Sequence, residues 1–149
     1  MKKGALGGLL MIFALSSACC AADQSLGVKE GRLAPCPDSP NCVSTQSENK
    51  RHSMKPLPFA NTRQESRERI LTILTNMKRV NIVAVTDSYV HAEFRSAFLR
   101  FVDDVEFYLD ETARTVHFRS ASRVGTYDFG VNRKRMKKFS EKYLEAVGK

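Results

Sequence analysis

The chain has 149 residues, 24 of them Lys or Arg and 16 Asp or Glu, for a formal net charge of +8. That length holds one compact domain with a real core, and neither a second domain nor an internal repeat is expected. The charge alone is compatible with simple solubility and names no partner.

Residues 1–18 stand outside that domain. Lys2 and Lys3 precede an apolar run from Ala5 to Leu15, and small residues follow. The run is shorter than the about 20 residues a bilayer span needs, so it reads as an export signal. The sequence "LSSACCAAD" then allows two outcomes. Ser17 and Ala18 before Cys19 resemble a lipobox, with Cys19 acylated, although Ser16 stands where leucine is usual. Ordinary cleavage after Ala18, Cys20 or Ala22 would instead release a soluble periplasmic protein. The expectation is a lipoprotein on the periplasmic face of a bacterial membrane. Removing the signal takes away two lysines and no acid, so the remainder stays basic. Outside the cytoplasm a basic chain meets acidic lipids or acidic envelope polymers, and nucleic acid is not expected as a partner.

Residues 19–34 are polar, small and aperiodic, and are expected to form a flexible tether. The stretch from Ala21 to Ala34 would reach at most roughly 45–50 Å. The single domain is expected over 35–149. Cys36 and Cys42 enclose two prolines and the turn-forming pair Asp38-Ser39. In an exported protein such a pair is expected as a disulfide ahead of free thiols or a metal site.

"TRQE" at Thr62–Glu65 has the capping-box form, and Ile70, Leu71, Ile73, Leu74, Met77 and Val80 recur at helical spacing. The nearly all-apolar "VNIVAVTD" reads as a buried strand. Three alternating runs follow. Val90, Ala92 and Phe94, then Val105, Phe107 and Leu109, then Val116 and Phe118 are expected inward. His91, Glu93, Arg95, Glu106, Tyr108, His117 and Arg119 would line the opposite face, expected to be wetted and salt-bridged. A last helix carries Met136, Phe139, Tyr143 and Val147 on one stripe. The predicted fold is α+β, a two-layer sandwich: a four-stranded antiparallel sheet with two helices on one face, in the order α-β-β-β-β-α.

The segment "RSASRVGTYDFGVNRKRMKKF" crowds cations into the start of that helix, where the helix dipole disfavours them. Arg119, Arg123, Arg133 and Arg135 supply forked donors, and a helix start near Asp128 or Asn132 adds unpaired amides, a pattern suited to an anion. Asp103 and Asp104, with Glu93 and Arg95, can orient those arginines or pair with them as an internal network. His91, Glu93 and His117 could approach metal-ligand spacing, but no metal or cofactor is assigned. No catalytic motif is present, and a small hydrolase or isomerase using His91, Glu93 or Tyr127 is the alternative reading. A structural subunit of an envelope complex is a further one. The reading preferred is a non-catalytic module that binds an anionic group at the Arg-rich turn.

Three ordered blocks, "LAPCPDSPNCVSTQ", "YVHAEFRSAFLRFVDDVEF" and "RSASRVGTYDFGVNRKRM", resemble the signature of the domain-of-unknown-function family numbered 1499. Cys36, Pro37, Asn41, Cys42, Glu93, Arg95, Asp103, Asp104, Glu106 and the run Arg119 to Arg135 carry the likeness; Thr126 departs from it. The resemblance implies that the Arg-rich turn belongs to the domain. It implies no activity.

Overall fold

The computed structural model describes residues 25–97 and 99–148. The expected signal, the acylation site at Cys19 and the first part of the expected tether lie outside the described residues.

The chain opens with a two-stranded hairpin, β1 (Val28–Lys29) and β2 (Arg32–Leu33), and then adds two short strands, β3 (Cys42–Ser44) and β4 (Leu57–Pro58). Helix α1 (Arg63–Thr75) follows, then β5 (Val80–Val85), β6 (Tyr89–Arg95), β7 (Val102–Asp110), β8 (Thr115–Ser122) and helix α2 (Val131–Val147). The main sheet runs β3-β8-β7-β6-β5, and β4 also pairs with β8; every pairing is antiparallel. The α+β class stands. The sheet, however, has six strands rather than four, and the order begins with strands rather than a helix. β3 and β4 are two or three residues long, too short to show alternation. Pro58 sits where a missing amide is tolerated, on the outermost strand.

One core joins the layers. Val90, Ala92, Val105, Phe107, Leu109, Val116 and Phe118 point to one face and meet Ile70 and Leu74 of α1 and Met136, Phe139 and Tyr143 of α2. The Phe107 and Phe139 rings lie 4.6 Å apart, within the range of favourable aromatic contact. Val43, Leu57 and Phe59 complete the cluster. Among the described residues, this core cluster draws on positions between Val43 and Val147. Thr62 caps α1 as expected, its Oγ1 accepting from the Glu65 amide at 3.1 Å. The Glu65 carboxylate reaches the amide of Asn61 rather than Thr62.

Two expectations need correction. The run expected as a buried strand, β5, is the sheet edge: Val83 stays 49 % exposed beside a register shift between Ile82 and Ala84. Such an irregularity discourages edge-to-edge pairing. Residues 25–34, expected as tether, instead carry the β1–β2 hairpin, which packs on β7 and β8. Its amide at Gly27 donates to Glu106, and Leu33 is buried. The sheet face expected to be wetted is therefore covered in its centre. The disulfide Cys36–Cys42 is formed as expected and staples the segment between hairpin and β3.

Candidate functional site

Strand alternation places Asp104, Glu106, His91, Glu93 and Arg119 on the face away from the helices, in register: His91 stands opposite Glu106, Glu106 opposite Arg119, and Glu93 opposite Asp104. Glu106 is fully buried. It accepts from the Gly27 amide at 2.7 Å, the Tyr89 hydroxyl at 2.8 Å and Arg119 at 3.2 Å. Burial, reinforced by the Glu106 carboxylate, pushes the Tyr89 phenol far above its ordinary range. A buried carboxylate persists only when its partners replace water, and here three do.

One row along, Asp104 accepts from His91 Nε2 at 2.7 Å and from Nε and a terminal nitrogen of Arg123, each at 2.7 Å. Burial pushes the Asp104 carboxyl up, but the hydrogen bonds and charges of Arg123 and His91 outweigh it and bring it down to about 2. Arg123 also donates to Glu93 at 2.6 Å, and Arg95 to the other Glu93 oxygen at 3.4 Å. The Arg123 bond lowers the Glu93 carboxyl, while Asp104 first and Glu93 second hold the Arg123 guanidinium above its usual range.

The helix side of the same sheet end holds a second cluster. Asp103 points opposite to Asp104 and accepts from Arg135 at 2.5 Å. Arg135 donates further to Asn132 Oδ1 and Ser120 Oγ and lies over the Phe94 ring at 4.7 Å. Asn132, fully buried, gives its amide hydrogens to Asn41 O, Ser122 Oγ and Asp128. Asp128 accepts from the backbone amides of Gly130 and Asn132 and so neutralises the start of α2. Gly130 takes the left-handed backbone the turn requires, with φ 73°. Arg133 reaches back to the carbonyls of Arg51 and Ser53. The arginines of the helix start are thus donors to other segments, which is why the sequence tolerates them there.

The six residues expected to hold an anion do not converge. Arg119 lies within the covered face, 1 % exposed. Arg133, Arg135, Asn132 and Asp128 are engaged on the helix side, and only Arg123 keeps a large part of its side chain, 41 %, in solvent. The supporting residues Asp103, Asp104, Glu93 and Arg95 are the acceptors and neighbours of these cations, in two clusters rather than one. The residues of the alternative enzyme reading are likewise apart. His91 is enclosed against Asp104, while Tyr127 is out on the β8–α2 turn, edge-on to Phe129 at 5.0 Å. His117 meets Thr45 Oγ1 at 3.2 Å and stacks on Tyr108, and burial lowers its pKa. Among the described residues, no three His, Cys, Asp or Glu side chains gather in a way that could hold a metal.

Sequence reasoning missed Tyr89 and gave Ser120 and Asn41 no bonding role, because those roles depend on partners 12 to 91 residues away. It also missed a cavity of about 730 Å³ between the hairpin and the 44–52 loop, with Lys29, Arg32, Glu30 and Glu48 on its walls. Its mixed charge focuses no single sign. No described helix is long and apolar enough to cross a membrane.

No curated protein and no solved structure matches the chain. A family model described as "Protein of unknown function (DUF1499)" matches residues 32–143, from β2 into α2, and spans both clusters. The chain belongs to that family.

Proposed function

We propose that this protein is an exported, lipid-anchored envelope module that works by binding an anionic group rather than by catalysis, at the rim formed by the β8–α2 turn. Arg123 makes the contact, together with Arg95 beside it. Asp104 and Glu93 fix the angle of Arg123, and the Asp103–Arg135–Asn132 cluster holds the turn in place. The observation that carries this reading is the split between enclosed acids and exposed cations. Asp103 and Asp104 are buried and Glu93 nearly so, whereas Arg95 and Arg123 keep about half of their side chains in water. Arg123 spends Nε and Nη2 on Asp104 and Glu93, so its remaining terminal nitrogen, with the guanidinium of Arg95 beside it, is what it offers to phosphate, sulfate or carboxylate.

The test uses residues 21–149 and dextran sulfate as the polyanion. Binding should weaken as salt rises and fall in the double variant Arg95→Gln, Arg123→Gln. Binding that ignores both salt and the two substitutions would remove the reading. The anchor is tested separately, by the mass of the N-terminal peptide of membrane-fraction protein: an acylated Cys19 supports it, and a free N-terminus further along refutes it.

A further inference from the structure

The rim that carries Arg123 also carries the most exposed large apolar side chains among the described residues. β6 ends at Arg95, β7 begins at Val102, and β8 ends at Ser122 opposite Asp103. The loop 96–101 and the turn 123–130 therefore leave the sheet side by side, joined where the Arg123 amide donates to the Val102 carbonyl at 3.1 Å. Leu99, Phe101, Val124, Tyr127, Phe129 and Val131 all lie on this end and all stay exposed, Phe129 at 78 % and Leu99 at 71 %. The turn is not loosely placed. Asn41 binds the Gly125 carbonyl at 2.6 Å, and Asp128 ties down Gly130 and Asn132.

Two residues of these loops, one of them an exposed aromatic, take backbone that costs stability. Phe129 and Arg100 hold left-handed backbone, at φ 55° and 54°, which bulky L-residues avoid. Each sits near the tip of its loop with its side chain in solvent. Backbone strain at an exposed aromatic is characteristic of a residue held for a partner. The exposed charges of the two loops and of the first turn of α2 are all positive: Arg95, Arg100, Arg123 and Lys134. The one acid in those loops, Asp128, is occupied with backbone amides.

We infer that this end of the domain is a bilayer-facing surface: Leu99, Phe101, Tyr127 and Phe129 enter the interface of an anionic leaflet while the surrounding arginines lie among its phosphates. The inference rests on the anion-binding reading above and names its partner. Apolar tips within a cationic rim match the layered chemistry of an anionic membrane, acyl chains below and phosphates above. Tyr127 suits the boundary between the two layers.

Chain length argues the same way. Residues 25–33 are part of the fold, so an anchor at Cys19 would stand six positions before the first described residue, a contour of at most about 20 Å. The described chain begins beside Gly27, bonded to Glu106, which is four residues or about 13 Å along β7 from the loop end at Val102. That start is close enough to the loop end for anchor and tips to share one surface.

The test takes residues 21–149, which lack the acylated cysteine, and co-sediments them with vesicles of phosphatidylcholine alone or mixed with phosphatidylglycerol. The wild-type domain should bind the mixed vesicles and not the neutral ones. The double variant Leu99→Ser, Phe129→Ser should bind about tenfold more weakly, with a nearly unchanged melting curve because both side chains are mostly in solvent and Phe129 gives up only its edge-on contact with Tyr127. Equal binding by this variant, or by both vesicle types, would overturn the inference. Binding of dextran sulfate without binding of mixed vesicles would overturn it too, assigning the rim to an acidic polymer and leaving the anion-binding reading intact. Loss of both would sink the two together.

Discussion

Asp103 and Asp104 are neighbours in the chain, and their carboxylates face opposite sides of the sheet. Asp103 lies under α2, gripped by Arg135, itself laid on Phe94. Asp104 lies on the other face with His91 and Arg123. The two clusters contain the same kinds of groups. They differ in what covers them, since α2 spans the first, whereas the hairpin reaches only as far as Glu106 on the second and stops short of Arg123. Identical ion pairs therefore serve different ends, structure on one side and a partly free cation on the other.

The comparison can be broken by removing one arginine at a time. Arg119→Ala removes the guanidinium bonded to the fully buried Glu106 under the hairpin and should cost about 3–5 kcal/mol, read from the urea midpoint. Arg135→Ala removes bonds to Asp103, Asn132 and Ser120 and should cost about 1.5–3 kcal/mol. Arg123→Ala should cost only about 1 kcal/mol, because Asp104 keeps His91 and water can enter beside it. A loss for Arg123 as large as for Arg119 would make the open cluster as structural as the closed ones. Reduction of Cys36–Cys42 tests the cover rather than the clusters and should lower stability by about 2 kcal/mol.

The open cluster also sets a dependence on acid. Asp104 is held at about 2 in the fold against an ordinary value of 3.8. Its contribution is complete above about pH 4 and is lost as pH falls toward about 2. Asp104→Asn should flatten stability against pH in that window. A curve as steep as that of the wild type would show that other carboxylates carry the acid response.

Much of this fold was legible because its long elements repeat their signal. Val90, Ala92 and Phe94 show a strand face by alternation, and Met136, Phe139 and Tyr143 a helix stripe by spacing. The hairpin was not legible, since "SLGVKEGRLA" is as polar as a linker and its fixed place comes from docking on β7 and β8. For the site, the sequence shows which residues are charged but not which charges end in water. Arg119 and Arg123 are four residues apart and look alike, and their fates depend on Glu106 and Asp104, 13 and 19 residues away. The exposed Phe129 and Leu99 were hidden for the opposite reason, because an apolar residue in a sequence is read as core by default.

Strand β3 has a consequence for the order in which the molecule is made. Cys42 pairs with Ala121, so the strand carrying one half of the disulfide finds its neighbour only once the chain through β8 is available to fold. Until then Cys36 and Cys42, six positions apart, remain open to an oxidant, and once β8 arrives Cys42 is sealed from solvent. Oxidation before docking lets the closed loop deliver β3 and the hairpin as a unit. Docking before oxidation would trap a thiol inside the sheet, so delayed completion of the sheet keeps the productive route open.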